Sequence, residues 1–570
     1  MPTNVTERRC PTGALPSRQD APVGHRRSEL RALTRRRALQ LAAASAAAPF
    51  ILRAAEKPAH PHGVLSGEPT AEKVAARVLA DGGNFVDALV AGALAGAVAA
   101  PHQTGIGGYG ASLIIARADG KRVVCIDANS AAPAAAHAAM FKPDDKGVVP
   151  GRVNDTGWLA AGVPGILAGL QLALARHGTR SFRDSVAPAI AIARDGFKLP
   201  ANLATTIRSF SALAKTHEGG RRLFFKDGEP LVAGDIYRNP EVAALLETLA
   251  QRNSVDSFYR GDIAQRIGEV FQKHGGLVTA KDMAAYQARE VEPLHFEWNG
   301  CDVRTAPLTS GGLTTLQALA ALRALEWDKL PAGLMRTHTA VEALRLAWAD
   351  RLALLGDPQH AQVPVAKLLS ADYAKETAER VRRAVKEGRP LAHAAVSRPH
   401  TGTINLSVVD RAGNLAAITL THGNGFGARV TVDGLGLTLG HGMSRFDPHP
   451  GHPNCPGPGK RPLHNMVPTV VLREGRPVLV VGGRGGRKIP NALFEVLTHY
   501  VALGQPMEAA LAAPRLHTEG SLNLELEARW PAAEAESLAK LGYKTKTAAS
   551  ATMSAAAFDP KTGEGRAAMR

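Results

Sequence analysis

Thr403 follows a small residue, Gly402, and opens a β-prone run just after a charged, polar stretch. A threonine hydroxyl is a weak nucleophile. Cutting the Gly402–Thr403 bond would leave a free amine on the same residue. An α-amino group has a pKa of about 7.7–8.0, so it can take the hydroxyl proton near neutral pH. Nucleophile and base would then be held by one residue's covalent geometry, the arrangement that attack on an amide carbonyl requires. Read alone, a threonine opening a strand is usually just a strand threonine.

Other chemistry finds no support in residue spacing. There is no G-x-S-x-G elbow, and His217-Glu218 lacks the second histidine of a H-E-x-x-H helix. The run Gly482–Lys488 is rich in glycine but lacks the G-x-x-x-x-G-K-[ST] spacing of a phosphate loop. His441, Asp447, His449, His452 and His464 lie in a Pro/Gly-rich segment that reads as irregular loop, so no metal is expected there. The four cysteines (Cys10, Cys125, Cys301, Cys455) are widely spaced and exclude a disulfide scaffold or zinc ribbon.

The elements that would position Thr403 are legible. Thr403–Asp410 and Leu415–Thr421 are β-prone, and Arg411-Ala412-Gly413 between them is a three-residue hairpin loop. Pairing Asp410 with Asn414 sets a register that puts Thr403 across from Thr421. Residues 71–100 read as two helices broken at Asp81-Gly82-Gly83-Asn84. Ser112–Ala116 and Arg122–Asp127 read as a strand pair turning at Asp119-Gly120. Residues 164–345 read as mainly helical, 375–400 as an exposed loop or linker, and Thr469–Leu472 and Pro477–Val481 as strands.

The 570 residues, 45% hydrophobic and 21% charged, exclude wholesale disorder. The net charge of +17 divides unevenly: residues 1–53 hold ten arginines against Glu7, Asp20 and Glu29, leaving +10 spread over the rest. With aromatics at 5% and no basic stripe, no nucleic-acid partner is expected. Thr34–Gln40, with three consecutive arginines, resembles the twin-arginine export motif, and an alanine-rich apolar stretch follows to Leu52. Residues 1–55 therefore read as a signal peptide and the rest as periplasmic or secreted. No segment is long and apolar enough for a membrane span.

Almost the whole remaining chain resembles the γ-glutamyltransferase family of N-terminal-nucleophile hydrolases. The resemblance rests on ordered runs: Gly82–Ala88, Gly105-Ile106-Gly107-Gly108, Val163-Pro164-Gly165, Ser310-Gly311-Gly312, Glu342–Arg345, Ala349-Asp350-Arg351 and Gly356-Asp357-Pro358. It continues through Ser407–Asp410, Gly413-Asn414, Phe426-Gly427, Lys460–Leu463 and Ala513-Pro514-Arg515. It implies an α+β fold, a four-layer αββα sandwich, made as a precursor that cleaves itself between Gly402 and Thr403. A large subunit (56–402) and a small one (403–570) would form a heterodimer. It also implies Thr403 as nucleophile, Thr421 as its hydroxyl partner, Gly485-Gly486 as the oxyanion pair, and no cofactor.

The family's glutamyl clamp is altered. Asn129 stands where an arginine grips the substrate α-carboxylate, and His464-Asn465 replace two serines. Gly423 and Gly442 replace residues that receive the α-amino group, Arg445 replaces an aspartate, and Ile404-Asn405 replace Thr-His. The substrate positions so implied are Asn129, Asn405, Gly423, Arg445, His464 and Asn465. The expected substrate is a small amide or peptide with a non-glutamyl acyl group, anionic or neutral beside Arg445, resolved by water or an amine acceptor. A glutathione hydrolase with a rebuilt clamp, and an uncleaved binding protein on the same fold, are the alternatives.

Overall fold

Hydrophobic alternation with period two builds two antiparallel six-stranded sheets. The computed structural model describes residues 61–215, 218–392 and 402–570; the signal reading, the boundary at residue 55 and the segment 393–401 lie outside them. The strands of these sheets are β1 (Gly63–Ser66), β2 (Gly110–Ala116), β3 (Val123–Ala128), β4 (Arg289–Val291), β5 (Leu294–Trp298) and β6 (Cys301–Thr305). They continue with β7 (Thr403–Asp410), β8 (Leu415–Thr421), β9 (Thr469–Arg473), β10 (Arg476–Arg484), β11 (Thr552–Asp559) and β12 (Glu564–Met569). One sheet runs β1-β7-β8-β2-β3-β4 and the other β12-β11-β10-β9-β6-β5.

In β7, Ile404, Leu406 and Val408 pack outward into the cluster formed with the helices, and Val409 faces the second sheet. In β8, Ala416, Ile418 and Leu420 point outward while Leu415 and Ala417 point inward. Thr403 and Thr421 therefore share the inner parity, on the face that looks across to the other sheet. The inter-sheet core is small and aliphatic, with Ile114, Val123, Val470, Val480 and Ala556 among its members.

Helices cover both outer faces, which completes the αββα sandwich. On the first sheet lie Pro69–Ala80 and Phe85–Ala99; the latter is held at its start by an Asn84/Asp87 capping box. It is buried all round because strands lie on one side and helices on the other. On the second sheet lie Gly312–Ala324, Leu334–Leu354 and Lys488–Leu497, joined in one apolar cluster.

The hairpin register is the one expected, Thr403 opposite Thr421 through to Val409 opposite Leu415. The expected β2–β3, β9 and β10 strands also form. Two readings need correction. The segment 375–400 begins as a helix, Ala371–Glu387, whose Ala374, Ala378, Val381 and Ala384 are buried. Its charge masked a helical period, because the alanines that mark the inner face are weakly hydrophobic. The helical reading of 164–345 also missed β4, which pairs with distant β3, and the hairpin of β5 and β6, which pair with each other across Asn299-Gly300 while β6 also pairs with distant β9.

Candidate active site

Strand pairing brings the two threonines together. Thr403 Oγ1 and Thr421 Oγ1 are 2.9 Å apart, and both residues are buried. The Gly402 carbonyl oxygen accepts from the Gly423 N–H at 3.0 Å and from the Thr421 hydroxyl. The Gly423 N–H also lies 2.8 Å from Thr421 Oγ1. A hydroxyl has one proton. With the Thr421 proton on Gly402 O, the Thr403 proton points to Thr421 Oγ1. Gly402 itself is packed so closely that a Cβ would stand 2.4 Å from Asn424 O, so no larger residue fits before Thr403.

Gly485 and Gly486 follow the end of β10 with φ of +138° and +64°, values that favour glycine. That end of the second sheet is tied to the Thr421 end of the first. Arg484 Nη1 donates to Gln103 Oε1 at 3.0 Å, and the Gln103 carbonyl accepts from the His422 N–H at 3.0 Å.

Beside these elements opens a cleft of about 540 Å³, lined by Trp348, Arg351, Arg445, Asn465 and Arg487 among others. Asp447 also lines it but pairs with His449 at 2.7 Å, so it does not neutralise Arg445. The Arg445 guanidinium stands 5.8 Å above the ring of buried Tyr109. Its Nη2 lies 3.2 Å from His441 Nε2. Arg351 donates from Nη2 to His464 O at 2.7 Å and to Asn465 Oδ1 at 3.2 Å. Arg487 is paired with Glu519 at 2.7 Å.

Burial dominates the electrostatics. Desolvation lowers Arg445, and it lowers Arg351 to about 9, with Arg487 adding to the effect on Arg351. Both remain cations at neutral pH. His422, beside Thr421, is pushed down to about 3 by burial and by its neighbours His441 and His102. His464 lies far below its usual range through burial and then the positive field of Arg351, Arg445 and Arg461. These imidazoles are neutral.

The other positions expected to meet the substrate divide. Asn465 lines the cleft, and Gly423 stands between it and the threonines. His464 lies behind Arg351, with its ring Nδ1 3.3 Å from the Met466 N–H. Asn129 is fully buried, and its Nδ2 donates to Thr309 Oγ1 at 2.8 Å and Pro462 O at 2.7 Å. Asn405 is held between the sheets, its amide bracketed by Thr419 Oγ1 at 2.6 Å and Ser554 Oγ at 2.7 Å. The histidines of the Pro/Gly-rich segment take separate partners: His441 meets Asp155, His449 meets Asp447, and His452 Nε2 meets Leu352 O.

Sequence reading missed Asp155, Tyr109 and Arg487 as neighbours of the site. Arg487 stood in the glycine run set aside as a failed phosphate loop. For Asp155 no local signal exists.

Three comparisons bear on this geometry. The sequence pattern of the family Gamma-glutamyltranspeptidase matches residues 71–570. The chain is 36% identical over 471 residues to the glutathione hydrolase proenzyme of Escherichia coli K12, covering 80% of each chain. It is 32% identical over 506 residues to the acylase ACY 1 proenzyme of Pseudomonas sp. SE83, covering 87% of this chain and 90% of that one. Its fold matches the crystal structure of cephalosporin acylase from Bacillus halodurans with a TM-score of 0.80 and 25% identity, over 92% of this chain and 96% of the other.

Proposed function

The chain belongs to the gamma-glutamyltranspeptidase family and is an enzyme of it, and from that premise we propose an autoprocessed amide hydrolase or acyltransferase whose nucleophile is Thr403, acting on a non-glutamyl acyl amide. The observation that carries the proposal is the hydrogen-bonded set Thr403–Thr421–Gly402 O–Gly423 N–H.

In the first step Thr403 Oγ1 attacks the Gly402 carbonyl carbon. Negative charge grows on an oxygen already held by the Gly423 N–H and the Thr421 hydroxyl, so the donors need no rearrangement. Collapse breaks the C–N bond as the Thr403 hydroxyl proton passes to the departing nitrogen, and leaves Gly402 as an ester on Thr403, which water opens. The products are a chain ending at Gly402 and one beginning at Thr403, the heterodimer suggested by the word proenzyme in the relatives' names.

In the second step the freed α-amine takes the Thr403 hydroxyl proton and the oxygen attacks a substrate amide. The Gly485 and Gly486 N–H groups are assigned the oxyanion. The amine leaves with the proton, and water or an acceptor amine resolves the acyl ester. No step calls for a cofactor. With the leader at residues 1–55, the enzyme would be exported; among the described residues no helix is long and apolar enough to cross a membrane.

Sequencing the new N-terminus tests the assignment. Cleavage at Thr403 supports it, and any other start defeats it. The names of the glutathione hydrolase relatives favour a second reading, turnover of glutathione itself. Arg445 opposes it, because a γ-glutamyl group brings an ammonium to a site that here holds a cation.

A further inference from the structure

Arg445 is held by a chain of hydrogen bonds that begins nearly three hundred residues earlier. Asp155 Oδ1 lies 2.9 Å from His441 Nδ1, and His441 Nε2 lies 3.2 Å from Arg445 Nη2. A guanidinium can only donate, so His441 Nε2 accepts and Nδ1 carries the proton toward Asp155. Burial lowers His441, and Asp155 only partly offsets it, so the neutral tautomer this chain needs is the stable one. Burial would raise the Asp155 carboxyl, but the His441 hydrogen bond and Arg152 outweigh it and keep it ionised.

The backbone has been cleared for this relay. A Cβ on Gly423 would stand 2.2 Å from the His441 ring and 2.9 Å from Arg445 Nη2. Two of the residues that depart from the glutamyl clamp, Gly423 and Arg445, are thus parts of one arrangement.

The cleft then holds a charge deficit. Among the described residues no carboxylate lies within ion-pair distance of Arg445 or Arg351. Arg445 Nε and Arg351 Nη1 are buried without a hydrogen-bond partner. Buried cations and buried N–H groups left in this state are costly unless a ligand completes them. Two guanidinium groups on one cleft suit a carboxylate, which accepts bidentately.

We propose that Asp155 and His441 position Arg445 as the receptor, with Arg351, for a carboxylate at the far end of the acyl group, so that the enzyme cleaves amides of short dicarboxylic acids. The inference rests on the Thr403 amidase reading. Thr403 Oγ1 bonds to the carbonyl carbon as the C–N bond breaks and the amine leaves with the hydroxyl proton; water then opens the ester, releasing the dicarboxylic acid and restoring the Thr403 hydroxyl. Gly423 bonds to Thr421 and abuts Arg445, which places the receptor close to the nucleophile and favours a short acyl chain.

The test uses the processed enzyme with three p-nitroanilides of similar length: glutaryl, butyryl and γ-glutamyl. Glutaryl should lead the other two in kcat/KM by about tenfold or more, the worth of a charged hydrogen bond. Arg445→Met should lower the glutaryl-to-butyryl ratio by about tenfold to a hundredfold. His441→Phe should lower the same ratio through KM with kcat held, and His441→Gln, whose carbonyl can accept from Arg445, should restore it. Equal glutaryl and butyryl rates, a γ-glutamyl preference, or a His441→Phe loss shared by both anilides through kcat would overturn the inference. If His441→Phe does not fold, the Arg445→Met ratio decides. If a processed enzyme turns over no anilide, calorimetry with glutarate decides: binding lost in Arg445→Met supports the receptor and no binding overturns it. A chain that never acquires a Thr403 N-terminus fails at the earlier reading and takes this one with it.

Discussion

Thr421 Oγ1 stands 2.9 Å from Thr403 Oγ1 and also donates to the carbonyl oxygen of Gly402. One hydroxyl therefore touches both Thr403, the proposed nucleophile, and the bond it is proposed to cut. Thr403→Ala should be made as a full-length, uncleaved and inactive chain. A denaturing gel and intact-mass measurement check this; a processed alanine variant would remove Thr403 from the mechanism.

Thr421→Val is nearly isosteric but removes that hydroxyl. Self-cleavage and amide turnover should both slow, by about 10²–10³ if the group acts as one oxyanion donor does. The Tm should change little. Time courses of precursor loss and single-turnover rates report the two steps separately, and a valine variant at full speed would refute the role.

Gly423→Ala should damage processing and stability together. Its φ of +96° strains any side chain, and the new Cβ would collide with His441 at 2.2 Å. A lowered Tm with slow cleavage is expected; an alanine variant that matches wild type would show that the relay geometry is wrong.

Glutathione should be a poor substrate of the wild-type enzyme. An ammonium about 4 Å from Arg445 meets repulsion of about 4 kcal/mol at an effective dielectric near 20, or a several-hundred-fold weakening. Arg445→Asp should narrow the gap between glutathione and the best alternative amide. Competing the two substrates in one assay measures it, and comparable wild-type rates would promote the glutathione hydrolase reading.

Stability should fall as pH rises from about 5 to about 8 at one buried group. Glu495, 7% exposed in the helix Lys488–Leu497, has its carboxyl pushed up to about 8 by burial, against the pull of Arg515. The folded state then binds a proton that the unfolded state has released above its ordinary pKa. The stabilisation is full below about 4.5 and is lost as pH rises through about 8. Glu495→Gln should flatten Tm across this window, which thermal melts at pH 5 and pH 8 would show; equal slopes in the two proteins would contradict the burial argument.

Local rules determined the hairpin and with it the heart of the site. Alternating side chains, a short glycine-bearing loop and a period of two are enough to pair Thr403 with Thr421. The helices flanking Asp81–Asn84 were legible for the same reason, since caps and breaks act over a few residues. The β5–β6 hairpin also carried a local signal, the Asn299-Gly300 turn, which a mainly helical reading of 164–345 passes over. Strand β4 was not legible, because its partner β3 lies far earlier in the chain. Nor was the destination of Asn129, whose amide is drawn into Thr309 and Pro462 once the loops converge. That Arg445 faces the cleft was undecidable from its neighbours, since Asp447 stood ready as a local partner. Folding gave Asp447 to His449 and brought Asp155, 286 positions away, to His441. The sequence by itself determined that Thr403 and Thr421 stand side by side, because that depends on residue alternation and strand register. Only the tertiary structure decided which charges remain uncompensated in the cleft, because ion pairing depends on distances between elements that no local spacing sets.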